Sequence, residues 1–128
     1  MIVAATLALA LLAQDANIDW AALPGLPYRA PPVVTPGMNE FAAREAVTRK
    51  CPLPDPSGPN QTISVDIAVL VDASGDVRTV VPKAIDCATV EQFAAGLAAG
   101  FARGNLLPRA GVASEQWYRT TVTFSWRK

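Results

Sequence analysis

The chain has 128 residues, enough for one domain around a single modest core. Its 11 basic and 11 acidic side chains cancel, which excludes a global field that would draw nucleic acid or an anionic membrane surface. Histidine is absent, so the general base of most hydrolases is missing, along with the commonest metal-binding side chain.

In chain order the first segment reads MIVAATLALALLAQDAN. Residues 2–13 are uncharged and almost wholly apolar. A hydrocarbon core needs about 20 such residues, so this run is too short to span one. It fits the hydrophobic part of a secretory signal cut after Ala13, although no Lys or Arg follows Met1. The expectation is a cleaved signal over residues 1–13 and an exported protein. Export puts Cys51 and Cys87 in an oxidising compartment, where they pair. Closing their loop of about 37 residues stabilises the fold by about 4 kcal/mol in the chain-entropy account. With no histidine and no Cys-x-x-Cys spacing, no metal site and no cofactor are expected.

Residues 14–37 read as a proline-rich tether. LPGLPYRAPPVVTPG, residues 23–37, lacks backbone donors at its prolines and favours extended structure. The domain proper is expected over residues 38–128. MNEFAAREAVTRK, residues 38–50, predicts a helix capped by Asn39, with Glu40 near its positive end and Arg49 and Lys50 near its negative end. CPLPDPSGPN then forces a loop.

The clearest signal follows in SVDIAVLVDASGDVRTVV. Ile63, Val65, Ile67, Val69 and Val71 share one face, while Thr62, Ser64, Asp66 and Asp72 share the other, the period-two mark of a half-buried strand. Asp72–Gly75 makes a tight connection in which Gly75 takes positive φ. Val77–Val81 returns as a second strand, stopped by Pro82. A helix is predicted from Thr89 to about Arg103, with Thr89 and Gln92 at capping-box spacing, an apolar stripe of Val90, Phe93, Leu97 and Phe101, and Gly104 at its end. EQWYRTTVTFSW is rich in β-branched and aromatic residues. It predicts a third strand with Tyr118, Thr120, Val122, Phe124 and Trp126 on one face.

Strands one and two are a hairpin, and the second helix returns the chain so that strand three pairs antiparallel with strand one. The expected fold is α+β with two layers: a three-stranded antiparallel sheet of order 2-1-3 and both helices on one face. Strand two is short and ends at proline, which discourages further pairing. Strand three is long and free of proline. Its candidate partner-binding residues are Trp117, Tyr118, Arg119, Thr121, Thr123 and Ser125, and such an edge accepts an extended peptide. The alternative, left open by the sequence, is that residues 23–37 fold back and cover it.

This order of elements resembles the C-terminal domain shared by TonB and TolA. The resemblance covers roughly residues 39–126. It is carried by the ISVDIAVLVDASGDVRTVV hairpin, by a helix leading to Leu106, Leu107 and Pro108, and by the WYRTTVTF strand. It implies a periplasmic domain that binds extended segments of envelope proteins, either outer-membrane receptors or Tol-system proteins, by strand addition. Full transducers carry a spanning anchor and a long proline-rich arm. Here a signal-like segment and a short proline stretch stand in their place, which points to a free-standing binding or adaptor module. A homodimer through the same edge is the other pairing the strand allows.

No catalytic residue is expected. Asp72 and Asp76 sit where a turn wants aspartate, and Ser74 lacks the Gly-x-Ser-x-Gly setting of a nucleophile elbow. A different class of reading is a small secreted inhibitor or structural domain, stapled by the disulfide, that acts through its proline-rich loop at Pro52–Pro59.

Overall fold

A computed structural model describes residues 17–109 and 114–128. The expected signal segment lies outside the described residues. After a single 3-10 turn at Trp20–Ala22, the elements are α1 (Pro36–Thr48), β1 (Asn60–Val71), β2 (Val77–Pro82), α2 (Ala88–Ala102) and β3 (Gln116–Arg127). The three strands form one antiparallel sheet in the order β2-β1-β3, as the chain order requires.

β1 is the centre of the fold because its alternation is nearly perfect. Ile63, Val65, Ile67, Val69 and Val71 are all buried, while Thr62 and Ser64 on the other face are exposed. Ala68 is the exception. It belongs to the polar face yet is buried, in the central strand between Val81 of β2 and Arg119 of β3. The β1–β2 connection is built as expected. Gly75 has φ 89°, Asp72 Oδ1 accepts from the N–H groups of Ser74 and Asp76, and the register shifts by a bulge at Leu70/Val71. The Asp72 carboxylate therefore serves the turn, to which Asp76 contributes its main-chain N–H.

Both helices start differently from expectation. α1 begins at Pro36, with Thr35 as its N-cap accepting from the Met38 N–H. Proline suits the first helical position because no intrahelical partner waits for an N–H there. Asn39 is thus inside the helix, and its side chain instead accepts from the N–H of Ser125 at 3.0 Å. α2 begins at Ala88, one residue before the expected cap. Cys87 holds the cap position with its sulfur committed to a disulfide. Glu91 reaches back and accepts from the N–H groups of Ile85 and Cys87 at 3.1 and 3.0 Å, which fixes the chain entering the helix and puts a carboxylate at its positive end.

The face that α2 docks on the sheet contains the predicted stripe only in part: Val90 is fully buried, and the flanking alanines take most of the rest of the contact. Val90, Ala94, Ala95, Ala98 and Ala102 are buried, whereas Phe93, Leu97 and Phe101 are only partly so. Alanine lets the helix backbone approach the sheet closely, and the larger side chains flank the contact. Phe93 uses its position to join the layers: its ring centroid lies 4.3 Å from Phe41 of α1, a close contact, and 5.7 Å from Phe124 of β3, within the range of favourable aromatic pairs.

Cys51 and Cys87 form a disulfide. It ties the loop after α1 to the start of α2, and both residues belong to the buried core. The double substitution Cys51→Ser/Cys87→Ser should lower unfolding free energy in urea by about 4 kcal/mol. A loss under about 1 kcal/mol would show that the loop is held without the bond.

Candidate functional site

The site is the border of β3. Along an antiparallel strand, residues alternate between turning both main-chain polar groups toward the neighbour and turning both away. Among the described residues β1 is the strand that pairs along β3, and Arg119 fixes the phase. Its N–H donates to the Pro24 carbonyl at 2.8 Å, and its carbonyl accepts from the Leu26 N–H at 2.9 Å. Both groups therefore point away from β1. Thr121, Thr123 and Ser125 share that phase, and the Ser125 N–H accordingly meets Asn39 Oδ1.

The residues expected to form the partner edge separate on this basis. Tyr118 has the opposite phase: its backbone faces Val69 of β1 and its side chain is buried. It supports the strand and offers nothing at the border. Arg119 is engaged by the chain's own residues 24–26. Ser125 has its N–H capped. Trp117 is half-buried and lines a cleft on the sheet face opposite the helices. Thr121 and Thr123 remain. No partner for their outward main-chain groups is found among the described residues, and both are exposed. Their hydroxyls tie β3 to β1, Thr121 Oγ1 donating to Asp66 Oδ1 at 2.6 Å and Thr123 Oγ1 lying 2.8 Å from Ser64 Oγ. That leaves the backbone of this stretch well fixed.

The proline-rich segment is a strap rather than a loose tether. Trp20 sits 5.8 Å from the Lys83 ammonium, and its carbonyl accepts from Arg119 Nη1. This carries the segment across the outer face, where Ile18, Ala22, Leu23, Leu70, Val81 and Trp117 line a cleft of about 480 Å³. The segment then pairs with Arg119, as a parallel bridge through Gly25. Leu26 enters the core at 8% exposure, and the Tyr28 hydroxyl lies 2.9 Å from Thr120 Oγ1. Beyond that point the strap is held by the loop after α2: the Leu107 N–H donates to the Pro27 carbonyl, the Arg29 N–H to the Asn105 carbonyl, and the Asn105 side chain brackets Ala30.

Among the described residues, covering of the edge is therefore partial. It occurs at Arg119 through the strap and at Ser125 through Asn39, with an open window between them. Leu26, Tyr28 and Asn105 are residues that the sequence reading did not single out, and Asn39 was expected as a helix cap rather than as a partner of Ser125. The signal for the first two was an apolar residue at each step between prolines, in a segment where a solvated linker needs none.

At the opposite end of the sheet the Pro52–Pro59 loop is also held. Gln61 Nε2 donates to the carbonyls of Asp55 and Gly58, and Lys128 Nζ to that of Pro56. Among the described residues no group of three or more potential ligating side chains is placed to hold a metal, and no helix is long and apolar enough to cross a membrane. Compared with known protein families, curated proteins and solved structures, the chain matches none.

One ionisation reports on the strap. Burial pushes the Tyr28 phenol above its ordinary value of 10.0, and the bond to Thr120 only partly offsets this. The neutral phenol is thus favoured in the fold. Its contribution is complete below the ordinary phenol value and is lost as pH rises through the raised one. Titration by ultraviolet absorbance should show a component above pH 10.0 that Tyr28→Phe removes. An unchanged profile in that variant would contradict the buried placement of this ring.

Proposed function

We propose that the protein is an exported, non-enzymatic binding module that takes up an extended peptide by strand addition along β3. In that reading it works in the periplasm in the manner of the TonB and TolA C-terminal domains, and its partners are segments of envelope proteins such as outer-membrane receptors or Tol-system proteins. The observation that carries it is the window at Thr121 and Thr123: exposed, held rigidly by cross-strand hydroxyl bonds, and without described partners for its outward N–H and C=O groups. An incoming strand gains main-chain hydrogen bonds there without disturbing the β1–β3 ladder. The disulfide supports export, since such bonds persist in oxidising compartments.

The test uses isotope-labelled protein titrated with synthetic N-terminal peptides of outer-membrane receptors. Shifts should be concentrated at residues 121–125, and Thr123→Pro should abolish them. That substitution removes one outward donor while sparing every main-chain bond to β1, and Thr123→Val controls for loss of the hydroxyl contact to Ser64. Absence of any shift at millimolar peptide, or unchanged binding by Thr123→Pro, would refute strand addition.

A further inference from the structure

An extended segment already lies on β3, and the chain itself supplies it. Residues 24–26 run parallel to the strand and occupy both outward groups of Arg119, the groups an incoming strand would need first. The attachment has the parts of a docked peptide. Its main chain sits on the ladder, Leu26 is buried as an anchor, and the Tyr28 hydroxyl bonds Thr120. Pro24 and Pro27 have no N–H, and the site asks none of them. Pro24 offers its carbonyl to Arg119, and Pro27 offers its carbonyl to Leu107. Both prolines also hold the segment extended before it binds, which lowers the entropy lost on docking.

We propose that residues 23–28, Leu-Pro-Gly-Leu-Pro-Tyr, are an intramolecular pseudo-ligand, and that the partner is an extended segment of the same chemistry running parallel to β3. It carries a leucine between prolines, followed by an aromatic hydroxyl, and binds by displacing the strap. This rests on the reading of β3 as the docking edge and adds to it a direction, an anchor side chain and a competitor. The strap leaves the border early because the Tyr28 N–H turns back onto the Leu26 carbonyl at 2.9 Å. A partner that stays extended past its leucine continues along Thr121 and Thr123, where the strap makes no ladder bond. Those additional contacts favour the partner over a competitor whose covalent linkage gives it a high effective concentration.

The test measures fluorescence anisotropy of a labelled peptide with the strap sequence, Ala-Leu-Pro-Gly-Leu-Pro-Tyr-Arg-Ala, added to the full-length chain. Leu26→Ala weakens the internal competitor at its anchor, and Tyr28→Phe weakens it mildly while leaving the core intact. The peptide should bind Leu26→Ala at least tenfold more tightly than the unaltered chain, with Tyr28→Phe between the two. A peptide with aspartate in place of its second leucine should not bind. Equal affinity for all three proteins, no binding to either variant, or equal binding of the aspartate peptide would overturn the proposal. If Leu26→Ala fails to fold, the Tyr28→Phe comparison decides alone. Should the strap peptide fail while receptor peptides still shift residues 121–125, the pseudo-ligand is wrong and the docking edge stands. Should both fail, both are wrong.

Discussion

The structure depends on one constraint: a sheet of three strands has two borders, and the chain must deal with each. β2 is short and reaches Pro82, so its border offers little. β3 runs for 12 residues with no proline, and every second residue turns two strong polar groups outward. The strap satisfies those of Arg119, Asn39 satisfies one at Ser125, and the stretch between them is left to something else. The position of the strap, the use of Asn39 and the functional reading all follow from this unequal treatment of one border.

The rest of the fold holds that border in place. Phe124, on β3, is completely buried and stacks toward Phe93, which in turn meets Phe41 on α1. A shift of β3 would therefore disturb both helices. The disulfide fixes the end of α1 relative to the start of α2, so the helix that supplies Asn39 is itself anchored. A docking edge benefits from this stiffness, because an ordered strand loses little conformational freedom when a partner pairs with it.

The sheet was legible in the sequence because its signals were local and mutually consistent. The alternation from Ile63 to Val71, the Asp-Ala-Ser-Gly-Asp turn and the aromatic run at residues 117–126 each point to one conformation, and together they give the order 2-1-3. The helix ends were less legible. Asn39 and Thr89 are good caps by residue type, but Thr35 with Pro36 starts α1 earlier and leaves Asn39 to bond Ser125, while α2 starts at Ala88 with the disulfide-bonded Cys87 at the cap position. The docking face of α2 was legible in part: Val90 and the alanines beside the stripe are buried as close approach to a sheet requires, while Phe93 and Leu97 pack at the margin of the core. The strap was legible in composition and hidden in destination: five prolines announce extended backbone, and nothing local says that Leu26 will be buried or that Pro24 will meet Arg119. The phase of β3 was equally hidden, since only a bonded neighbour reveals which residues face outward.

The most direct measurement is residue-resolved amide exchange along β3 in the protein without any partner. The account predicts slow exchange at Arg119 and Ser125, whose N–H groups are bonded to Pro24 and Asn39, and fast exchange at Thr121 and Thr123 between them. If Thr121 and Thr123 were as protected as Arg119, the border would be closed throughout, and no segment from outside would find a place on it.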